Sequence, residues 1–257
     1  MKPIIALIFS LYTAHVCGQH TRHDLLTKFD RISYWADYDD ADSKINKYDS
    51  LSRANEVFKT ELLVYTSQKP ASITEALSEL KSKGLTIATS EDGLFRIYSW
   101  DDRSGGTMRY FNTVFQYKSE SKVFSKVIRD ETSKEELGDW YSDIYILKNA
   151  GKTFYLAVKH GIYSSKDCYQ AIKIFSIDNG ALNSDVKLIK TKTGIRNELG
   201  FDFDFFSVVD RPERPVKLIT YNADEKTISL PVVWEGGKVT NKQIIYKFTG
   251  EYFEKKP

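Results

Sequence analysis

Apolar residues recur at steps of three and four along the first third of the chain and at steps of two along the rest. Leu25, Leu26, Phe29, Ile32 and Trp35 fall on one helical face over 24–38. Leu51, Ala54, Val57, Phe58, Leu62 and Tyr65 repeat the pattern over 49–65, after an acidic stretch from Asp37 to Asp42. A third helix is predicted through Ala76, Leu77 and Leu80. Ser72-Ile73-Thr74-Glu75 reads as its capping box behind Pro70, and Gly84 as its C-terminal cap.

From Leu85 onward the pattern predicts strands over 85–89, 94–100, 107–118, 122–129, 143–148 and 153–160, then 169–177, 186–190, 201–209, 216–221, 227–233 and 238–248. Turn residues separate them, among them Glu91-Asp92-Gly93, Ser104-Gly105-Gly106, Asn149-Ala150-Gly151, Asp178-Asn179-Gly180 and Glu235-Gly236-Gly237. The connections are too short for crossover helices, which predicts antiparallel neighbours. The fold class is therefore α+β: a short N-terminal helical region (19–84), then a large, mostly antiparallel β region (85–257) arranged as a meander or sandwich. Both belong to one domain. A spacing of roughly 40 residues between glycine turns, with Trp100-Asp101, also fits propeller blades, but the dipeptide does not recur.

The N-terminus reads differently. Lys2 is followed by the apolar run Ile4–Tyr12, too short to span a bilayer, and Val16 and Gly18 occupy the −3 and −1 positions of a signal-peptidase site. Residues 1–18 are expected to be a signal peptide, placing the protein in the periplasm or outside the cell. An alternative is a lipid anchor on Cys17, which the branched Val16 disfavours. With Cys17 removed, Cys168 is the one cysteine left, which rules out an internal disulfide and a thiolate zinc site. It opens an apolar strand and is expected to be buried and inert.

A formal charge of +2 gives no electrostatic reason to expect nucleic acid, and no later segment is a transmembrane helix. No phosphate-binding loop, nucleophile elbow or calcium loop is present, so no cofactor or metal is expected. His160, at the end of an apolar strand, reads as structural or solvated. Aromatic residues make up 14% of the chain, which suits broad β surfaces and binding faces alike.

The most distinctive segment runs from Ser90 through Asp102 to Met108 and reads as a hairpin. On its first strand Phe95 and Ile97 point one way and Arg96, Tyr98 and Trp100 the other. A cation among π surfaces suits a sugar or a carboxylate; the simpler reading is a second packed layer in which Arg96 pairs with an acid. Asp101 and Asp102 stand at the hairpin end, as turn formers or as paired acids. Arg96, Tyr98, Trp100, Asp101 and Asp102 are the candidate ligand-binding set. Asp202 and Asp204, alternating with Phe201, Phe203 and Phe205, are either exposed edge charges or a further acidic pair.

The string S-x-D-G-x-x-R-I-Y-S-W-D, followed by G-G-T-M and a tyrosine-rich strand, resembles a group of uncharacterised exported proteins of Bacteroidetes-type bacteria. The resemblance covers residues 88–118. It implies a cell-envelope setting and brings no activity or catalytic residues with it. The expected function is a non-enzymatic module binding an unidentified ligand or envelope protein. The alternatives are a glycan-directed hydrolase using Asp101, Asp102, Asp202 or Asp204, and a purely structural envelope protein.

Overall fold

The computed structural model describes residues 22–39, 45–128 and 138–257; the expected signal peptide and Cys17 lie outside them. Helix α1 spans residues 22–36. Helix α2, Lys47–Gln68, is longer at both ends than its apolar pattern; the Asn46 side chain accepts hydrogen bonds from the Tyr48 and Asp49 amides and starts it early.

The third helix is shorter than expected. A 3-10 turn, Pro70–Thr74, is followed by a single helical turn, α3, Ser78–Ser82. Leu77 between them has φ +46°, a left-handed conformation that interrupts any continuous helix. The capping box does not form because its members are used elsewhere. The Ser72 hydroxyl donates to the Lys69 carbonyl, and the Glu75 carboxylate accepts from the Tyr65 hydroxyl.

Strands β1 (Thr86–Thr89), β2 (Phe95–Asp101), β3 (Phe111–Ser119) and β4 (Lys122–Lys126) form an antiparallel meander, the first sheet. The second sheet has the order β11-β7-β6-β5, built from β5 (Trp140–Asn149), β6 (Lys152–Ile162), β7 (Asp167–Asp178) and β11 (Glu198–Asp204), with β8 (Ala181–Asn183) also paired to β7. The third has the order β10-β9-β15-β14-β13-β12. Its strands are β9 (Ile189–Thr191), β10 (Gly194–Arg196), β12 (Thr220–Asn222), β13 (Thr227–Val233), β14 (Val239–Phe248) and β15 (Phe253–Lys255). One contact, β15 with β9, is parallel; the rest are antiparallel. The hairpin turns Ala150-Gly151 and Asn179-Gly180 carry positive φ at both central residues, as two-residue hairpins of matching twist require.

Three apolar layers stack these parts. Leu25, Phe29, Phe58 and Leu62 of the helices pack on Tyr98, Trp100 and Val114 of the first sheet. That sheet's other face, with Phe95, Ile97 and Phe115, packs on Tyr155, Ala157 and Phe175 of the second. Leu147, Leu156, Ile172 and Ile174 then turn to Ile228, Leu230, Phe248 and Phe253 of the third. The helices occupy the outer face of the first sheet, and among the described residues the three sheets close no barrel.

Candidate functional site

The alternation along β2 is as the sequence predicts, but helices cover the face that carries Arg96, Tyr98 and Trp100. Their exposures are 5%, 0% and 1%. Of the two readings of this face, the packed layer is the one observed, with Arg96 bonded to a hydroxyl and a carbonyl in place of the expected acid. The reading of Arg96, Tyr98 and Trp100 as a ligand-binding face is thereby corrected. Trp100 stands edge-on to Phe58, and its Nε1 donates to Asn55 Oδ1 at 2.9 Å. Tyr98 donates to Gln116 Oε1 at 2.8 Å, and burial pushes its hydroxyl up to about 12. Arg96 donates to the Ser72 carbonyl at 2.6 Å and to Thr89 Oγ1 at 2.8 Å.

The chemistry of this seam follows from helix termini. The Thr66 carbonyl lies in the last turn of α2, where no further helical turn supplies a donor, and the Ser72 carbonyl, in the 3-10 turn beyond it, accepts from the Glu75 amide. Gln116 Nε2 reaches Thr66 O at 2.7 Å, and Arg96 adds a charged donor to the Ser72 carbonyl. The sequence pattern does not mark Asn55 or Gln116, and it marks Ser72 only as a helix cap. Their part in the seam is not legible locally, because the partners they meet across it lie 24 to 50 residues away.

Asp101 and Asp102 emerge at the end of this buried face and shape the loop that follows. Asp101 Oδ1 accepts from the Arg103 amide at 2.8 Å, and Asp102 Oδ1 accepts from the Ser104 amide and hydroxyl at 2.8 and 2.6 Å. Both act as turn formers. They hold Arg103 at φ +63°, a conformation an arginine adopts only under constraint. Asn55 Nδ2 anchors the same loop from α2 by donating to the Asp102 carbonyl at 2.9 Å. Gly105 is required there, since a Cβ would lie 2.1 Å from the Met108 carbonyl oxygen, whereas Gly106 faces open space.

Between this loop and α1 lies an open groove of about 490 Å³. Phe29, Ile32 and Ala36 of α1 give it an apolar floor, and Lys83, Arg103 and Arg109 give it a cationic rim. Each cation has an acid: Lys83 with Asp30 at 2.6 Å, Arg103 with Asp37 at 2.9 Å and Arg109 with Asp101 at 2.5 Å. Exposed pairs of this kind contribute about 0–1 kcal/mol, so an incoming charged group can exchange with them at little cost.

The other candidates sit elsewhere. Asp202 is exposed on β11, and Asp204 caps the 3-10 turn Phe205–Val208 by accepting from the Phe206 amide at 2.9 Å. That turn ends the strand early and takes Phe205 out of the alternation. Neither acid lines the groove that Asp101 lines. Cys168 is buried, and desolvation with the nearby Asp167 and Asp204 charges raises its thiol to about 11. Among the described residues no group of three or more His, Cys, Asp or Glu side chains could hold a metal ion.

His160 is buried and stacked on Trp140 with ring centroids 4.1 Å apart. Its Nε2 lies 2.8 Å from Ser142 Oγ, which has Asp143 beside it. Proton order decides what this serine–histidine pair can do. Gln170 Oε1 accepts from the Leu218 and Ile219 amides, so its amide nitrogen faces the Val216 carbonyl and His160 Nδ1. Nδ1 is therefore the acceptor, Nε2 carries the proton, and Ser142 passes its own hydrogen to Asp143 at 2.8 Å. A serine-activating relay needs the reverse, with Nε2 free to take the serine proton.

Burial lowers the His160 pKa from 6.5 to about 3. A folded-state pKa below the unfolded one means that the unfolded chain binds the proton first. The stabilisation is complete above about pH 6.5 and lost as pH falls toward 3. Urea unfolding is expected to show about 2 kcal/mol less stability at pH 5 than at pH 8 from this group alone. His160→Gln should remove that difference; an identical pH dependence in the variant would contradict the buried neutral ring.

No protein-family model matches the chain, and no curated protein or solved structure gives a significant match.

Proposed function

We propose that this chain is a non-enzymatic binding module of the cell envelope that engages a ligand or partner protein in the groove between α1 and the 101–110 loop. The observation that carries the reading is the constrained loop itself. Asp101, Asp102 and Asn55 fix its backbone, Arg103 is held in a left-handed conformation, and the result is a groove with an apolar floor and an exchangeable charged rim. The loop falls within the segment that resembles exported Bacteroidetes-type proteins, which supports the envelope setting. No helix among the described residues is long and apolar enough to cross a membrane.

The test is site-specific photo-cross-linking with envelope extract, with the reactive side chain at position 106 and a control at Asp224 on the exposed turn between β12 and β13. Adducts are expected from 106 and not from 224. Arg103→Glu should reduce them about fivefold, the equivalent of about 1 kcal/mol. Equal yields at the two positions, or none at 106, would contradict the reading.

A further inference from the structure

An edge strand presents a row of unpaired amides and carbonyls, and folded proteins keep such edges short, cover them or interrupt them. Most edges of this molecule are closed in one of those ways. Helix α2 packs over β4, and β5 is broken by a register shift between Tyr141 and Asp143. β1 has four residues, and β10 and β12 have three each. β11 differs: its seven residues, Glu198–Asp204, run in unbroken register against β7 alone.

The bonds at its two ends decide which of its groups point outward. The Ile174 amide donates to the Asn197 carbonyl at 2.9 Å, and the Phe205 amide to the Lys166 carbonyl at 2.7 Å. Antiparallel pairing alternates, so Leu199, Phe201 and Phe203 also bond β7. Glu198, Gly200, Asp202 and Asp204 therefore turn their amides and carbonyls to the free side. The Asp204 amide is used there by the Gly237 carbonyl at 2.8 Å. The backbone groups of Gly200 and Asp202 have no partner among the described residues, and both residues are exposed. The Asp202 carboxylate has no ion-pair partner among them either.

We propose that this edge takes up an extended basic segment of a partner protein as an added strand, with a lysine or arginine opposite Asp202. Charge disfavours a second copy of this chain. If β11 paired antiparallel with itself about Gly200, Asp202 would stand opposite Glu198. Pairing about Phe201 would set Glu198 opposite Asp204, and pairing about Asp202 would set that acid against its own copy. Like charges directly opposite are destabilising, so each register is penalised. A guest that alternates apolar and basic residues avoids the penalty. Its main chain bonds Gly200 and Asp202, its cation meets Asp202, and its apolar residues extend the face of Leu199 and Phe201.

Amide hydrogen exchange of the isotope-labelled chain, read by NMR, tests the proposal. In the free protein the Leu199, Phe201 and Phe203 amides are expected to exchange slowly, and those of Gly200 and Asp202 rapidly. A capped peptide alternating valine and lysine, matched to the seven residues of β11, is then added, with a valine–glutamate peptide as control. The lysine peptide should slow exchange at Gly200 and Asp202 saturably, by about tenfold, and the glutamate peptide should leave it unchanged. Asp202→Lys should reverse that preference. Asp202→Pro deletes an outward donor that β7 does not use, so it should abolish the response while Leu199, Phe201 and Phe203 stay protected. No response to the lysine peptide, an equal response to both peptides, or a full response in Asp202→Pro would overturn the proposal. Protection of Gly200 and Asp202 that grows with protein concentration in the absence of peptide would assign the edge to a second copy and overturn it as well.

Discussion

Trp100→Ala is expected to destabilise the protein by about 5 kcal/mol, through two separate losses. Deleting a fully buried indole removes its contacts with Phe58 and the helical layer and leaves a cavity, at about 3–5 kcal/mol. It also strands Asn55 Oδ1, which is buried with Trp100 Nε1 as its donor, at about 1–3 kcal/mol. Trp100→Phe separates the two, keeping most of the volume and losing only the donor. Chemical denaturation of the three proteins measures both steps. Against a total of about 5–15 kcal/mol for a domain, the alanine variant would be marginal or unfolded. A cost below about 1 kcal/mol would show that the indole is not part of the core. The same loss should loosen the groove, because Asn55 also holds the Asp102 carbonyl.

The second large effect is expected at Glu198, where charges meet inside the protein. Its carboxylate accepts from Tyr169 and pairs with Lys159, which also reaches Asp139 at 3.2 Å. Desolvation raises the Asp139 carboxyl, and the neighbouring Lys159 charge works against that rise. Gly200 makes room for the arrangement, since a Cβ there would stand 2.4 Å from the Tyr169 hydroxyl. Glu198→Ala removes one acid from between two nearly buried lysines and takes the acceptor from Tyr169. The expected cost is about 3 kcal/mol, the low end of the range for breaking a buried pair, because Glu198 is still 18% exposed. Adding Lys159→Met should recover part of it. A double variant no more stable than Glu198→Ala would contradict the coupling.

How far the sequence reveals this molecule depends on the range of the interactions. Period-two alternation places Phe95 and Ile97 opposite Arg96, Tyr98 and Trp100, and the structure keeps that division. Alternation reports faces, however, and says nothing of what covers them; here the cover is a pair of helices from earlier in the chain. The Ser72 capping box misleads for a related reason, since its hydroxyl takes part in the seam with Gln116, 44 residues away. Strands β8, β10 and β15, three residues each, are too short to show a period. The turn chemistry of Asp101 and Asp102 is legible because it is local. The groove that the turn builds is not, because its other wall is α1.

The central claim is that the aromatic-arginine face is interior and that the hairpin segment meets its surroundings only at its loop. Hydroxyl-radical footprinting of the folded protein tests this most directly. Met108, 38% exposed at the loop, and Trp234, 57% exposed, are expected to be oxidised readily, while Tyr98 and Trp100 stay protected until the chain unfolds. Oxidation of Tyr98 and Trp100 in the native state at rates near that of Trp234 would contradict it.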